Sequence, residues 1–91
     1  MNKLTIFYLK GCPYCKNAKK AYDALLTENE TYKDVQVEWI EESENAAIAD
    51  KYDYYRVPTI FMGEDKLYEA APSDSYDTIK AKLKAALDTV Q

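Results

Sequence analysis

The stretch YLKGCPYCKNAKK, residues 8–20, holds both cysteines of the chain, Cys12 and Cys15, where one periodicity gives way to another. Upstream, KLTIFYL (3–9) is β-branched and aromatic on both faces, which predicts a central strand. Downstream of Pro13, the residues Cys15, Ala18, Tyr22 and Leu25 recur at helical spacing with Leu26 beside them, which predicts a helix to about Glu28. Gly11 lets the chain turn between the two, and Pro13 suits a first helical position, where no N–H is needed. Cys12 is thereby placed at the helix N-cap and Cys15 one turn inside, on the apolar stripe.

Working outward, NETYKD is a polar connection, and VQVEWI (35–40) alternates as a second strand. Ser43 is placed to cap a short helix whose apolar positions are Ala47, Ile48 and Tyr52. RVPTIFM (56–62) is a third strand opening at Val57-Pro58, and GEDK (63–66) is a turn. KLYEA (66–70) then returns antiparallel as a fourth strand. Pro72, Ser73, Asp74 and Ser75 open a last helix with the stripe Tyr76, Ile79, Leu83, Leu87 and Val90. The order β-α-β-α-β-β-α defines an α/β chain with a four-stranded mixed sheet and three helices. Its first two strands are far enough apart for parallel pairing.

Ninety-one residues make one domain, 1–91. With 47% hydrophobic residues and two glycines, the composition excludes a disordered chain. No apolar run is long enough to span a membrane, and the N-terminus lacks a signal-peptide pattern, so a cytoplasmic protein is expected. The net charge of −4 is unevenly spread. Residues 1–34 carry six lysines against four acids, and residues 35–65 carry eight acids against two bases. An acidic chain without a basic face is a poor binder of nucleic acid. Lys16, Lys19 and Lys20 are expected on a solvated helix face. Glu41, Glu42, Glu44, Asp50 and Asp53 are expected as a solvated acidic face or, alternatively, a docking surface for a basic partner.

Four chemistries compete for the cysteine pair. A structural disulfide is disfavoured in a reducing compartment. A zinc site needs about four ligands, and the chain offers two Cys and no His. Two idle buried thiols in an acidic adaptor remain an alternative. Redox catalysis is the reading that the local geometry favours. At the N-cap, the N–H groups of Tyr14 and Cys15 point at the Cys12 sulfur, and the helix dipole favours negative charge there. Lys10 and Lys16 add positive charge nearby. The expected result is a Cys12 thiol below its free pKa of about 8.5, exposed and nucleophilic, with Cys15 sheltered and resolving.

CPYC after the first strand, with Val57-Pro58 ahead of the hairpin, resembles the dithiol glutaredoxins of the thioredoxin fold, and the resemblance covers nearly the whole chain. It implies a thiol–disulfide oxidoreductase that binds no cofactor, with glutathione as a co-substrate. The partners implied are a disulfide-containing protein or a glutathionylated substrate, with glutathione or a thioredoxin-reductase-like flavoprotein as electron donor. A monomer is expected.

Carried onto this sequence, the resemblance makes Pro58 a cis proline packed against the cysteines. The Val57 backbone would pair with the substrate, and Tyr14 would flank the glutathione site. Arg56 would hold a glutathione carboxylate or else form an exposed salt bridge. The family's Gly-Gly and acidic pair correspond to YEAAPSDS here, where Ala70 and Ala71 replace the glycines. Ser73 and Asp74 either stand in for the acids or cap the helix. Lys10 lies two residues before the first cysteine, whereas the family's lysine lies three before. Among the nine tyrosines, Tyr52, Tyr54 and Tyr55 either cover core edges or wall the substrate groove, and Trp39 is expected in the core or on the sheet surface.

Overall fold

The computed structural model describes residues 3–90. Strand β1 (Leu4–Tyr8) leads into helix α1 (Pro13–Glu28), and a short 3-10 helix (Glu30–Asp34) connects α1 to β2 (Val37–Glu41). A second 3-10 turn (Glu42–Glu44) and helix α2 (Ala46–Ala49) follow, then the hairpin β3 (Thr59–Met62) and β4 (Asp65–Glu69), and finally α3 (Tyr76–Val90). The sheet order is β2-β1-β3-β4. β1 is therefore central, as its two-sided apolar pattern predicts.

β1 and β2 run parallel, with Leu4 opposite Val37 and Phe7 opposite Ile40. β3 is antiparallel to β1, with Ile6 opposite Ile60 and Phe7 opposite Thr59. Alternation along β1 divides the core in two. Leu4 and Ile6 face α1 and α3, where Ala18, Ala21, Leu25, Ile79, Leu83, Ala86 and Leu87 are buried. Phe7 faces the other way, with Ile40 and Phe61, under a cover of Ala49, Tyr52, Tyr54 and Val57.

The long helices form where their stripes place them, with one adjustment in α1. Ala21 is fully buried in the same cluster as the α3 residues Ile79, Leu83, Ala86 and Leu87, and Tyr22 is only partly buried beside it. Four expectations need correction. Val35 is buried but precedes β2, closing the 3-10 turn by an N–H bond to the Tyr32 carbonyl. Ser43 does not cap the short helix. The side chain of Glu41 caps the turn instead, and Asn45 stands at the N-cap of α2 with no side-chain cap bond.

In α2 the inward residue is Ala49, whereas Ala47 is exposed and Ile48 is 42% exposed. A helix of one turn has no room for a full apolar stripe. Finally, β3 begins at Thr59 rather than at Val57-Pro58, because Pro58 has no N–H to give the ladder.

Candidate active site

Both cysteines are free thiols, and the element ends that hold them explain their difference. After β1 the chain turns at Gly11, whose φ of +81° lies in the left-handed region that glycine adopts without steric cost. Cys12 then occupies the N-cap in extended conformation, with Pro13 opening the helix. Its sulfur accepts from the Cys15 N–H at 3.4 Å, an otherwise orphaned donor of the first turn. The bond expected from Tyr14 N–H is not present among the described residues, since the sulfur leans over the third helical residue rather than the second. Such a bond is accepted more strongly by a charged sulfur than by a neutral one.

Cys15 is only 5% exposed, and its sulfur accepts from the Leu9 N–H at 3.5 Å. Burial pushes its thiol up to about 12; the Leu9 bond opposes that shift, and the neighbouring Cys12 adds to it. The two sulfurs thus meet opposite environments one helical turn apart. A pocket of about 290 Å³ lined by Tyr8, Cys15, Lys19 and Trp39 lies beside Cys15. There Lys19 Nζ sits 5.2 Å from the Trp39 ring centroid and 5.1 Å from that of Tyr22, so Lys19 is partly spread over aromatic surface.

Across from Cys12 runs the loop before β3. The Val57-Pro58 peptide is cis, Pro58 is buried, and the Cys12 thiol lies 4.0 Å from the Val57 carbonyl oxygen. The Val57 N–H has no hydrogen-bond partner among the described residues. A shallow groove of about 220 Å³ continues from this edge, lined by Tyr14, Arg56, Val57, Ala70, Ala71 and Pro72. The Tyr14 hydroxyl donates to the Pro72 carbonyl and closes one end of it. The structure therefore gathers Cys12, Cys15, Pro13, Tyr14, Arg56, Val57 and Pro58 around one surface.

The remaining candidates are placed differently. Lys10 turns its ammonium to Glu44 at 2.7 Å, so a carboxylate rather than the thiol engages its charge. Lys16 is exposed on the first turn of α1. Arg56 is exposed, and its guanidinium forms no ion pair among the described residues. Ser73 is exposed. The cap of α3 is Ser75, whose hydroxyl oxygen accepts from the Thr78 N–H at 3.2 Å. The Asp74 carboxylate accepts from the Tyr68 hydroxyl and, at 3.0 Å, from the Ala71 N–H. These bonds, the backbone one foremost, lower its pKa.

Of the tyrosines, Tyr52 and Tyr54 cover the core: their ring centroids lie 4.8 and 4.9 Å from that of Phe7. Tyr55 points out and is 90% exposed.

Two carboxylates escaped the sequence reading. Glu41 is buried rather than part of a solvated face. It accepts from the Lys10 N–H at 2.9 Å, from the Ser43 N–H and hydroxyl at 2.6 Å, and from the Glu44 N–H at 3.3 Å. Those donors, the Ser43 hydroxyl first, hold its carboxyl down to about 2. The bond to Lys10 ties the approach to Cys12 to the end of β2. Glu69 closes β4 in a similar position on the opposite edge. The only cue in the sequence is a serine two residues after Glu41 and a lysine three before Glu69. Among the described residues no three Cys, Asp or Glu converge as metal ligands.

A four-stranded mixed sheet, an N-capping CPYC and a cis proline facing it define a dithiol protein of the thioredoxin fold. The model of the glutaredoxin family matches residues 4–67, and the chain belongs to that family. A relative, thioredoxin of Methanocaldococcus jannaschii, is 32% identical over 83 residues, spanning 89% of this chain and 95% of that one. Among solved structures, a malarial protein superposes with a TM-score of 0.63 at 20% identity, covering 93% of this chain and 96% of that one. Thioredoxin 1 from Thermosipho africanus superposes with a TM-score of 0.60 at 19% identity, covering 96% of both chains. These two likenesses are of fold. No helix among the described residues is long and apolar enough to cross a membrane.

Proposed function

We propose that the protein is a thiol–disulfide oxidoreductase that reduces disulfides of other proteins, with Cys12 as nucleophile and Cys15 as resolving thiol. The observation that carries this reading is the inequality of the two sulfurs. Cys12 is half-buried at a helix N-cap beside an open backbone edge, and Cys15 is buried with its thiol pushed up to about 12.

The Cys12 thiolate attacks one sulfur of the substrate disulfide. The S–S bond breaks, a mixed disulfide forms, and the other substrate sulfur leaves as a thiolate that takes up a proton. Cys15 then loses its proton and attacks the Cys12 sulfur. The second substrate thiol is released and a Cys12–Cys15 disulfide remains, so two electrons have passed from the protein dithiol to the substrate. Substrate backbone adds to the Val57 edge as a short strand. Pro13 starts the helix that polarises Cys12, and Pro58 shapes the opposing wall. Lys16 contributes a nearby positive charge, and Lys10 less of one because Glu44 engages it.

Two electron donors fit this chemistry, glutathione and a thioredoxin-reductase-like flavoprotein. The flavoprotein is favoured. A γ-glutamyl carboxylate docking near Ala71 and Asp74 would have to displace the bond these two residues already make to each other. The 32% identical relative is moreover a thioredoxin. Arg56 and Tyr14 then border a groove for polypeptide rather than for glutathione.

The test supplies oxidised protein with NADPH and either glutathione plus glutathione reductase or a thioredoxin reductase. Turnover is expected with the second. Cys12→Ser should abolish exchange, Cys15→Ser should accumulate the mixed disulfide, and iodoacetamide at pH 6 should label Cys12 first. Activity surviving in Cys12→Ser, or equal labelling of the two thiols, would sink the assignment.

A further inference from the structure

The loop facing Cys12 is held from behind by a single carboxylate. Glu69 Oε2 accepts from the backbone N–H of Tyr55 at 2.7 Å and of Arg56 at 2.8 Å. Its other oxygen accepts from Lys66 Nζ at 2.7 Å, and Lys66 in turn reaches the Asp53 carbonyl at 3.2 Å. Two more bonds fix the same segment from the sheet. The Thr59 hydroxyl donates to the Arg56 carbonyl, and the Ala70 N–H donates to the Pro58 carbonyl at 3.0 Å.

Bonds therefore fix the residues on either side of Val57, whereas the Val57 N–H has no partner among the described residues. Tyr55, 90% exposed, stands on the same gripped segment. Carboxylate–amide bonds are among the stronger local restraints a loop can have, being charge-assisted.

We propose that Glu69 is a positioning residue for polypeptide substrates: it holds Tyr55 and Arg56 so that the Val57 edge stands ready to pair with an extended peptide beside Cys12. The inference rests on the reading of Cys12 as the nucleophile that such a peptide must reach. It also separates two substrate classes. A peptide disulfide needs the edge in order to bind, whereas a small disulfide needs only access to the sulfur. Holding the edge before binding lowers the ordering cost that the peptide would otherwise meet.

The experiment compares a cystine-linked peptide with hydroxyethyl disulfide, using dithiothreitol to recycle the dithiol, in wild type, Glu69→Leu and Glu69→Gln. Glu69→Leu is expected to raise KM for the peptide by about tenfold, with kcat and the small-disulfide rate changed by less than about twofold. Glu69→Gln keeps an acceptor oxygen and should recover most of the peptide KM. Amide hydrogen exchange in the wild-type protein gives a check that needs no variant to fold. Tyr55 and Arg56 should exchange at least about tenfold more slowly than Val57.

An unchanged peptide KM in Glu69→Leu, equal losses for both substrates, or exchange at Tyr55 and Arg56 as fast as at Val57 would each overturn the proposal. A wild-type chain that reduces neither disulfide removes the nucleophile reading and this inference with it. An active wild type with an indifferent Glu69→Leu removes this inference alone.

Discussion

The two faces of the sheet are covered by different means. On one face, α1 and α3 lay long aliphatic stripes over Leu4, Ile6 and Ile60, and Leu83 and Leu87 have no exposed surface. On the other, Phe7, Ile40 and Phe61 lie under the one-turn helix α2 and two tyrosines. The Tyr54 ring stacks on Phe7 at an interplanar angle of 21°, and its hydroxyl donates to Glu42 at 2.6 Å. Polar bonds then secure what apolar area does not. Glu41 ties the turn Glu42–Glu44 to the end of β2, and the Asn45 side chain donates to the Glu41 carbonyl at 2.9 Å. The candidate site opens between these faces. Cys12 stands at the end of the helix on the thick side, and Val57 belongs to the cover of the thin side.

Substitutions can break this contrast. The largest effect is expected from Leu83→Ala, which leaves a cavity under α3 and should cost about 3–4 kcal/mol in urea unfolding. Tyr52→Leu on the thin face should cost about 1 kcal/mol, because the side chain is only half-buried and apolar volume is partly conserved. Equal losses at the two positions would show that the aromatic cover carries as much stability as the helices.

An acid titration sharpens the polar half of the contrast. The Glu41 carboxyl is held down to about 2, against 4.5 ordinarily. Its contribution is therefore complete above about pH 4.5 and is lost as the pH falls towards 2. Glu41→Gln should flatten that part of the stability–pH curve. It should not level it, since Glu69, Asp74 and Asp88 are also lowered by their donors. An unchanged slope would mean that Glu41 does not hold the thin cover. The smallest effect belongs to Tyr54→Phe. This variant removes one hydroxyl bond, keeps the ring on Phe7, and should cost about 0.5–1 kcal/mol by the same urea measurement.

The same contrast explains what could be read in the chain before its structure. The thick side was readable because α1 and α3 each run four turns, long enough for Cys15, Ala18 and Leu25, or Ile79, Leu83 and Leu87, to declare a period. β1 and the hairpin declared themselves through β-branched runs and a glycine turn. On the thin side, four residues of α2 cannot establish a period, so Ala47 and Ile48 were expected inward and Ala49 was not.

At the site, CPYC and Val57-Pro58 are local words, and their adjacency was implied only by the family resemblance. Glu41 and Glu69 act on backbone N–H groups 31 and 13–14 residues away. Any exposed-looking glutamate has the chemistry for that, and only the tertiary fold selects which ones use it. Likewise, nothing local separates Tyr54, stacked inward, from Tyr55, turned out.

The pocket beside Cys15 has a practical consequence. Trp39 is the single tryptophan of the chain, and it lines that pocket together with Cys15. An excited indole loses emission to a disulfide within reach more readily than to a thiol. Trp39 is thus placed, on one pocket with Cys15, to report oxidation of the pair. Fluorescence excited at the indole band should dim when Cys12 and Cys15 join and recover on reduction, which allows each half-reaction to be timed without a label.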